Sequence, residues 1–242
     1  MTSLIPTPAH AVTVEPLAPE TVLVPAGTFA MGSLAGRPDE QPVRTVAVGS
    51  FRLARTPVRN AEYATFLAES DAAHEPPWWR DPSFAAPDQP VVGITWFEAV
   101  AFAVWLGRRL GGRWRLPTEA EWEWAMRGGS DGAATCWGGD IPPSEIPEGP
   151  IDGPWALGRG TPNGFGVLDC GTVVHEWCLD LYAPYDPAEA ARADRAERPE
   201  RRSSRGGSWR HRQRWSPPSA RSSLPPLLRY ADYGFRVLRE EA

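Results

Sequence analysis

The sequence predicts a globular, loop-rich fold with few long elements, and three observations carry that expectation. Of its 242 residues, 42% are hydrophobic, enough to bury a sizeable core. Proline (27) and glycine (23) together approach a fifth of the chain, above ordinary usage but short of the level that marks disorder. Twelve tryptophans supply large buried area where short helices and strands cannot, and their default place is the core. The length admits one large domain or two small ones.

In chain order, residues 1–20 are dotted with proline and read as a mobile extension. "TVLVPAGTFAMGS" (21–33) reads as strand and turn, and "VRTVAVGSFRLA" (43–54) as a second strand with a glycine interruption. A short helix begins at Asn60, suited to the N-cap, with Ala61, Tyr63, Ala64, Phe66 and Leu67 as its apolar stripe. A proline-rich crossing follows from His74 to Pro90. Two helix starts carry capping boxes: "TWFE" at Thr95–Glu98, before the apolar run Ala99–Leu106, and "TEAE" at Thr118–Glu121, before Trp122, Trp124, Ala125 and Met126. In each, the threonine and the glutamate three residues on can satisfy orphan backbone donors. Gly128-Gly129 is the stop. Residues 186–204 lack apolar periodicity and read as a solvated loop or insertion.

A net charge of −5 argues against nucleic acid as a partner, since phosphate neutralisation needs a basic face. The charge is uneven: from Arg201 to Arg236 there are nine arginines against one acid, Asp232. No lysine is present, which removes Schiff-base chemistry, pyridoxal phosphate attachment and the phosphate-binding lysine of a P-loop. Cys136, Cys170 and Cys178 have no Cys-x-x-Cys spacing, so neither a zinc ribbon nor a disulfide framework is readable. Cys170 and Cys178, eight residues apart, read as buried thiols. With no signal-peptide pattern and no apolar run of membrane-spanning length, the expectation is a cytoplasmic protein with no membrane partner.

Five stretches taken together, "VPAGTFAMGS", "PVVGITWFEAVAFAVWLGRRLGGRWRLPTEAEWEWAMRGG", "TPNGFGVLDCGTVVHEW", "RGGSWR" and the terminal "GFRVLR", resemble the formylglycine-generating enzymes, the sulfatase-modifying factors. The match spans about Thr21 to Arg239. The resemblance implies one α+β domain over residues 21–242, loop-rich, low in regular secondary structure and distantly C-type-lectin-like. Function does not follow, because this superfamily is mixed. It includes copper oxidases that convert a sulfatase cysteine to formylglycine, domains of iron sulfoxide synthases, domains used in pigment maturation, and diversified binding proteins.

In the copper enzymes two thiolates follow the Gly-Gly-Ser-aromatic turn, the soft ligands copper(I) prefers. The matching positions after Gly206-Gly207-Ser208-Trp209 hold His211 and Ser216. A tryptophan that shapes the family's oxygen pocket is replaced by His175. Formylglycine-generating copper oxidation is therefore not expected. Iron is not expected either: the histidines are His10, His74, His175 and His211, with no His-x3-His pattern. His175 and His211 lie in segments that the family folds around its cavity, so a two-histidine metal site and ordinary polar or core histidines are both open.

The resemblance also implies calcium at Asp169, through the side chains of Asp169 and Glu176 and the carbonyls of Thr172 and Val174, an oxygen set suited to a hard cation. The alternative is that these carboxylates pair with arginines. The cleft of the family is matched here by Trp209, His211, Arg212, Arg214, Trp215, Arg229 and Tyr230, residues that imply an anionic small molecule or an acidic protein segment as ligand. Some of Arg221, Arg229 and Arg236 belong to the family frame and are assigned to structure. The leading expectation is a ligand- or protein-binding or accessory module. The alternative is a noncanonical oxidase or other enzyme using His175, His211 or Ser208 in the same cleft.

Overall fold

A computed structural model describes residues 18–71, 73–130, 135, 151–186, 200–211 and 217–241. The extension predicted for 1–20, apart from its last three residues, and the stretch 187–199 of the predicted loop lie outside these, as do Cys136, Arg212, Arg214, Trp215 and Ser216.

The glycine in "VRTVAVGSFRLA" does more than interrupt a strand. It divides two: β3 (Arg44–Val48) pairs with β2 (Gly27–Met31) in a two-stranded ribbon, while β4 (Phe51–Ala54) joins β1 (Thr21–Val24) in another sheet. That second sheet runs β1-β4-β10-β5, with β5 at Trp114–Arg115 and β10 at Leu238–Glu240. The C-terminal strand thus sits between elements from the first half of the chain. A third sheet, β8-β7-β6-β9, holds β6 (His175–Leu181), β7 (Arg202–Arg205), β8 (Arg221–Leu224) and β9 (Tyr233–Gly234). Here β6 pairs antiparallel with β7 and parallel with β9.

Strand β7 corrects the loop reading of 186–204, whose end at Arg202–Ser204 lies in a sheet with Ser203 and Ser204 buried. Its inward residues are polar, so no apolar alternation marks it in the sequence.

Three helices pack on these sheets: α1 (Asn60–Glu69), α2 (Trp96–Leu110) and α3 (Glu119–Arg127). Both predicted capping boxes form. Thr95 Oγ1 accepts from the Glu98 N–H at 3.2 Å and Glu98 from the Thr95 N–H at 2.9 Å; Thr118 and Glu121 repeat the arrangement at 3.2 and 2.7 Å. Gly128 ends α3 in the left-handed conformation, φ 60°. Asn60 is the first helical residue rather than the cap. Its amide instead donates to the carbonyls of Phe84 and Ala86, tying the helix to the proline-rich crossing.

Helix α2 buries Trp96, Ala99, Phe102, Ala103 and Leu106 against Tyr63 and Phe66 of α1 and against Trp177, Phe235 and Val237. Full burial of each large apolar side chain contributes roughly 1.5–3 kcal/mol. A second cluster under α3 holds Trp122, Trp124, Phe29, Met31, Leu53, Cys170 and Cys178. The indole N–H groups of these buried tryptophans find acceptors, as low-dielectric burial demands: Trp96 to the Cys178 carbonyl, Trp177 to the Ile94 carbonyl, Trp122 to Glu176. Among the described residues no helix is long and apolar enough to cross a membrane.

Candidate functional site: a cavity above a double-glycine contact

The site begins with two chains that touch backbone to backbone. A Cβ added to Gly206 would lie 2.6 Å from the Gly171 Cα, and one added to Gly171 would lie 2.8 Å from the Trp122 ring. Both glycines have positive φ, 61° and 75°, which disfavours any other residue a second time over. The contact lets the Gly207 N–H donate to the Gly171 carbonyl at 2.7 Å, and the Trp209 N–H to the Val173 carbonyl at 2.9 Å. Segment 171–175 and the turn 206–209 are thereby fixed side by side.

Above this contact lies a cavity of about 690 Å³, lined by His175, His211, Gly206, Gly207 and Arg221, and by the loop from Ala35 to Glu40. His175 is buried, and its Nδ1 lies 2.8 Å from the Gly206 carbonyl. A carbonyl only accepts, so Nδ1 carries the proton and Nε2 is left with its lone pair. Burial pushes this imidazole down to about 4, against the pull of Asp232, so it is neutral at physiological pH. The structure brings the two sequence-predicted histidines together: their ring centres are 5.1 Å apart at an interplanar angle of 68°. Ser208, the third predicted residue, faces Asp232. Its hydroxyl is buried and donates to Asp232 Oδ2 at 3.1 Å.

Among the described residues the arginine-rich stretch 201–236 is largely an internal ion-pair system, while Arg212, Arg214 and Trp215 of the predicted cleft lie outside them. Arg236 donates from Nε and Nη2 to Glu176 at 2.6 and 2.9 Å, both side chains fully buried. Arg221 forks onto Glu119 at 2.6 and 2.7 Å. Arg205, fully buried, pairs with Glu123 and lies 3.5 Å from Glu119. Burial works to raise the Glu119 carboxyl, but Arg221 and Arg205 outweigh it and leave it below its ordinary value. Arg202 lies 3.9 Å over the Trp96 ring, and Arg201 bonds Ser223. Arg229, predicted as a cleft residue, is committed to Glu98 at 2.6 and 2.7 Å and to the Gly93 carbonyl. Trp209 is a correction of the same kind. It is buried against Phe84, with its indole donating to the Ala231 carbonyl at 3.3 Å. Tyr230 is exposed but does not line the cavity. Arg210 stacks on Trp209 and is half exposed.

The sequence reading missed the 35–40 wall, where Arg37 is exposed and Glu40 buried. No motif marks it; long-range bonds hold it at the site, from Arg221 to the Asp39 carbonyl and from the Tyr182 hydroxyl to Asp39 Oδ2, both at 2.7 Å.

At the predicted calcium turn Glu176 is paired with Arg236, as the alternative reading expected, and the oxygen atoms left over can be named. Glu176 is committed to Arg236 and Trp122, which use three of its lone-pair sites and leave one on Oε1. Asp169 accepts from the Gly158 N–H at 2.6 Å through Oδ2, while its buried Oδ1 has no partner. The carbonyls of Gly171 and Val173 accept backbone bonds, whereas those of Thr172 and Val174 accept none among the described residues. Asp169 Oδ1, those two carbonyls and the remaining Glu176 lone pair are oxygen donors of the type calcium takes.

This geometry, an α+β, loop-rich frame with a cavity over a glycine turn, defines a sulfatase-modifying-factor fold. The chain belongs to that family: the model of the sulfatase-modifying factor enzyme 1-like domain matches residues 8–241. It is 31% identical to a formylglycine-generating enzyme of Streptomyces coelicolor over 90% of this chain and 88% of the relative. It is also 31% identical to serine/threonine-protein kinase pkn1 of Chlamydia pneumoniae over 93% of this chain, but spans 38% of that protein's length. Among solved structures, PvdO from Pseudomonas aeruginosa superposes with a TM-score of 0.74 at 27% identity, covering 92% of this chain and 95% of the other. The expected α+β, C-type-lectin-like architecture is thus present.

Proposed function

We propose that this chain is a binding member of the family, and that its ligand is an anionic small molecule or an acidic protein segment seated in the cavity over Gly206-Gly207. One observation carries the reading. The cavity presents His211 at a position where the copper enzymes carry a thiolate, with His175 beside it, and among the described residues no cysteine lines it, Cys170 and Cys178 being buried in the core under α3. Burial raises the Cys178 thiol well above its ordinary value, the opposite of what a thiolate ligand needs. For an anion, Arg37 offers a guanidinium 73% exposed on the wall, and Arg212 and Arg214 follow His211 directly in the chain. Calcium at the Asp169–Glu176 turn is part of the proposal as a structural ion.

A hexaglutamate peptide is the probe. Its binding to the full chain, followed by fluorescence anisotropy, should weaken as salt is added, because exposed charges are screened beyond a Debye length of about 8 Å at physiological ionic strength. The triple variant Arg37→Ala, Arg212→Ala, Arg214→Ala should lose both the binding and its salt dependence. Failure to bind at low salt, or binding indifferent to those three changes, would refute the anionic reading.

A further inference from the structure

We propose that His175 and His211 form a two-imidazole site for a borderline divalent metal such as zinc, with its remaining coordination positions open to the cavity. The inference deepens the binding reading above, for which the open positions would take carboxylate oxygens of the ligand.

The geometry of two ligands on one ion supplies the argument. With metal–nitrogen bonds of about 2.0–2.1 Å, each ring centre lies about 3.2 Å from the metal, and ligand angles of about 90–110° then place the centres about 4.5–5.2 Å apart. The rings are observed at 5.1 Å. Their 68° tilt keeps one ring from stacking on the other, which leaves room for an ion between them.

The second shell of His175 is already that of a ligand. A metal-binding histidine characteristically donates its other ring N–H to a carbonyl or carboxylate, which fixes the tautomer and aims the lone pair. The Gly206 carbonyl does this at 2.8 Å, and no hydrogen bond to Nε2 is found among the described residues. Gly206 is itself locked by its contact with Gly171, so the ring is held by the scaffold.

Among the described residues no third His, Cys, Asp or Glu side chain joins the pair. A structural zinc site is closed by four protein ligands and a catalytic one by three; with two imidazoles alone, the ligand has to supply the remaining donors. Imidazole donors favour zinc, nickel, copper(II) or iron over calcium or magnesium, so this site and the Asp169 turn would not compete for one ion.

The test uses tag-free full-length protein stripped with chelator, then zinc chloride by calorimetry and cobalt(II) by visible absorption. One equivalent of zinc should bind, and cobalt should give d–d bands. His211→Ala should weaken zinc by more than about tenfold, since even the loss of a second-shell partner costs ~10–100-fold; His175→Gln should act alike. Asp169→Asn should leave zinc binding unchanged. No binding up to millimolar zinc, or binding that survives in a folded His211→Ala protein, would show that the rings are merely packed edge to face and overturn the proposal. Hexaglutamate titrated with and without zinc separates the two readings. Peptide binding without any zinc binding overturns the metal site alone, and zinc binding without peptide binding overturns the anionic ligand alone.

Discussion

Glu62, buried in the first turn of α1, should make the protein lose stability as pH rises through neutrality. Burial raises its carboxyl from 4.5 to about 7, against the lowering effects of the Arg59 backbone N–H and the Arg59 charge. The Arg59 N–H donates to Glu62 Oε2 at 2.8 Å, but the Arg59 guanidinium stands 3.8 Å away and is part exposed. Because the folded value lies above the unfolded one, the stabilised form is the protonated acid. That contribution is fully present below about pH 4 and is lost as pH rises through about 7. A shift of about 2.5 units at 1.36 kcal/mol each makes the ionised side chain cost up to about 3 kcal/mol at pH 8. Glu62→Gln keeps an oxygen for the Arg59 N–H and removes the charge. In urea unfolding at pH 8 the variant should be more stable than wild type by up to about 3 kcal/mol, and at pH 4 the two should nearly coincide. Taking the difference at each pH cancels the other carboxylates. A difference constant from pH 4 to 8, or a variant less stable at pH 8, would refute the reasoning and mean that the Arg59 pair outweighs desolvation.

Two further outcomes are expected. Calcium should raise the melting temperature of chelator-treated protein, by mass action worth about 2.7 kcal/mol at a hundredfold excess over its dissociation constant. Asp169→Asn, which tolerates the φ of 52° as well as aspartate does, keeps an oxygen donor but loses the charge and should weaken that response without unfolding the protein; the absence of any calcium response in the wild type would remove the ion from this turn. The chain should not convert a Cys-x-Pro-x-Arg peptide to formylglycine with copper(I) and oxygen, followed by the mass of the cysteine; multiple turnover to the aldehyde would contradict the binding reading.

How much was legible depended on how far apart the interacting residues stand in the chain. The capping boxes of α2 and α3 were readable because donor and acceptor are three residues apart. Their glutamates do more than that pattern states: Glu98 also holds Arg229, and Glu121 holds Arg115 at 2.6 and 2.7 Å. The arginine-rich segment looked like a solvent-facing cationic island because its partners lie far upstream. Arg221 and Arg205 reach back about a hundred residues to Glu119 and Glu123. Glu119 and Glu123, one helical turn apart, do lie on one face, but nothing local says which charges meet them. Trp209, matched to the cleft only through the resemblance, is packed on Phe84 from the proline-rich crossing, a long-range contact that no local pattern announces.

Of the residues packed around the glycine turn, Gly171, Trp122, Glu176 and Arg236 are not among those that line the cavity. Gly171 against Gly206, Trp122 on Glu176 and Arg236 on Glu176 form one buried assembly. Removing one partner of such a buried ion pair costs roughly 3–5 kcal/mol. These positions are therefore tied to folding whatever the chain does. His175 and His211 line the cavity, and the backbone contacts that join Gly206 and Gly207 to Gly171 use neither side chain. The motif "RGGSW" thus reports on the floor of the site and leaves its chemistry free, which is why a chain 31% identical to a formylglycine-generating enzyme can present imidazoles to its cavity. Function has to be argued from the two rings and the loop that faces them, and the zinc and hexaglutamate titrations act on those groups directly.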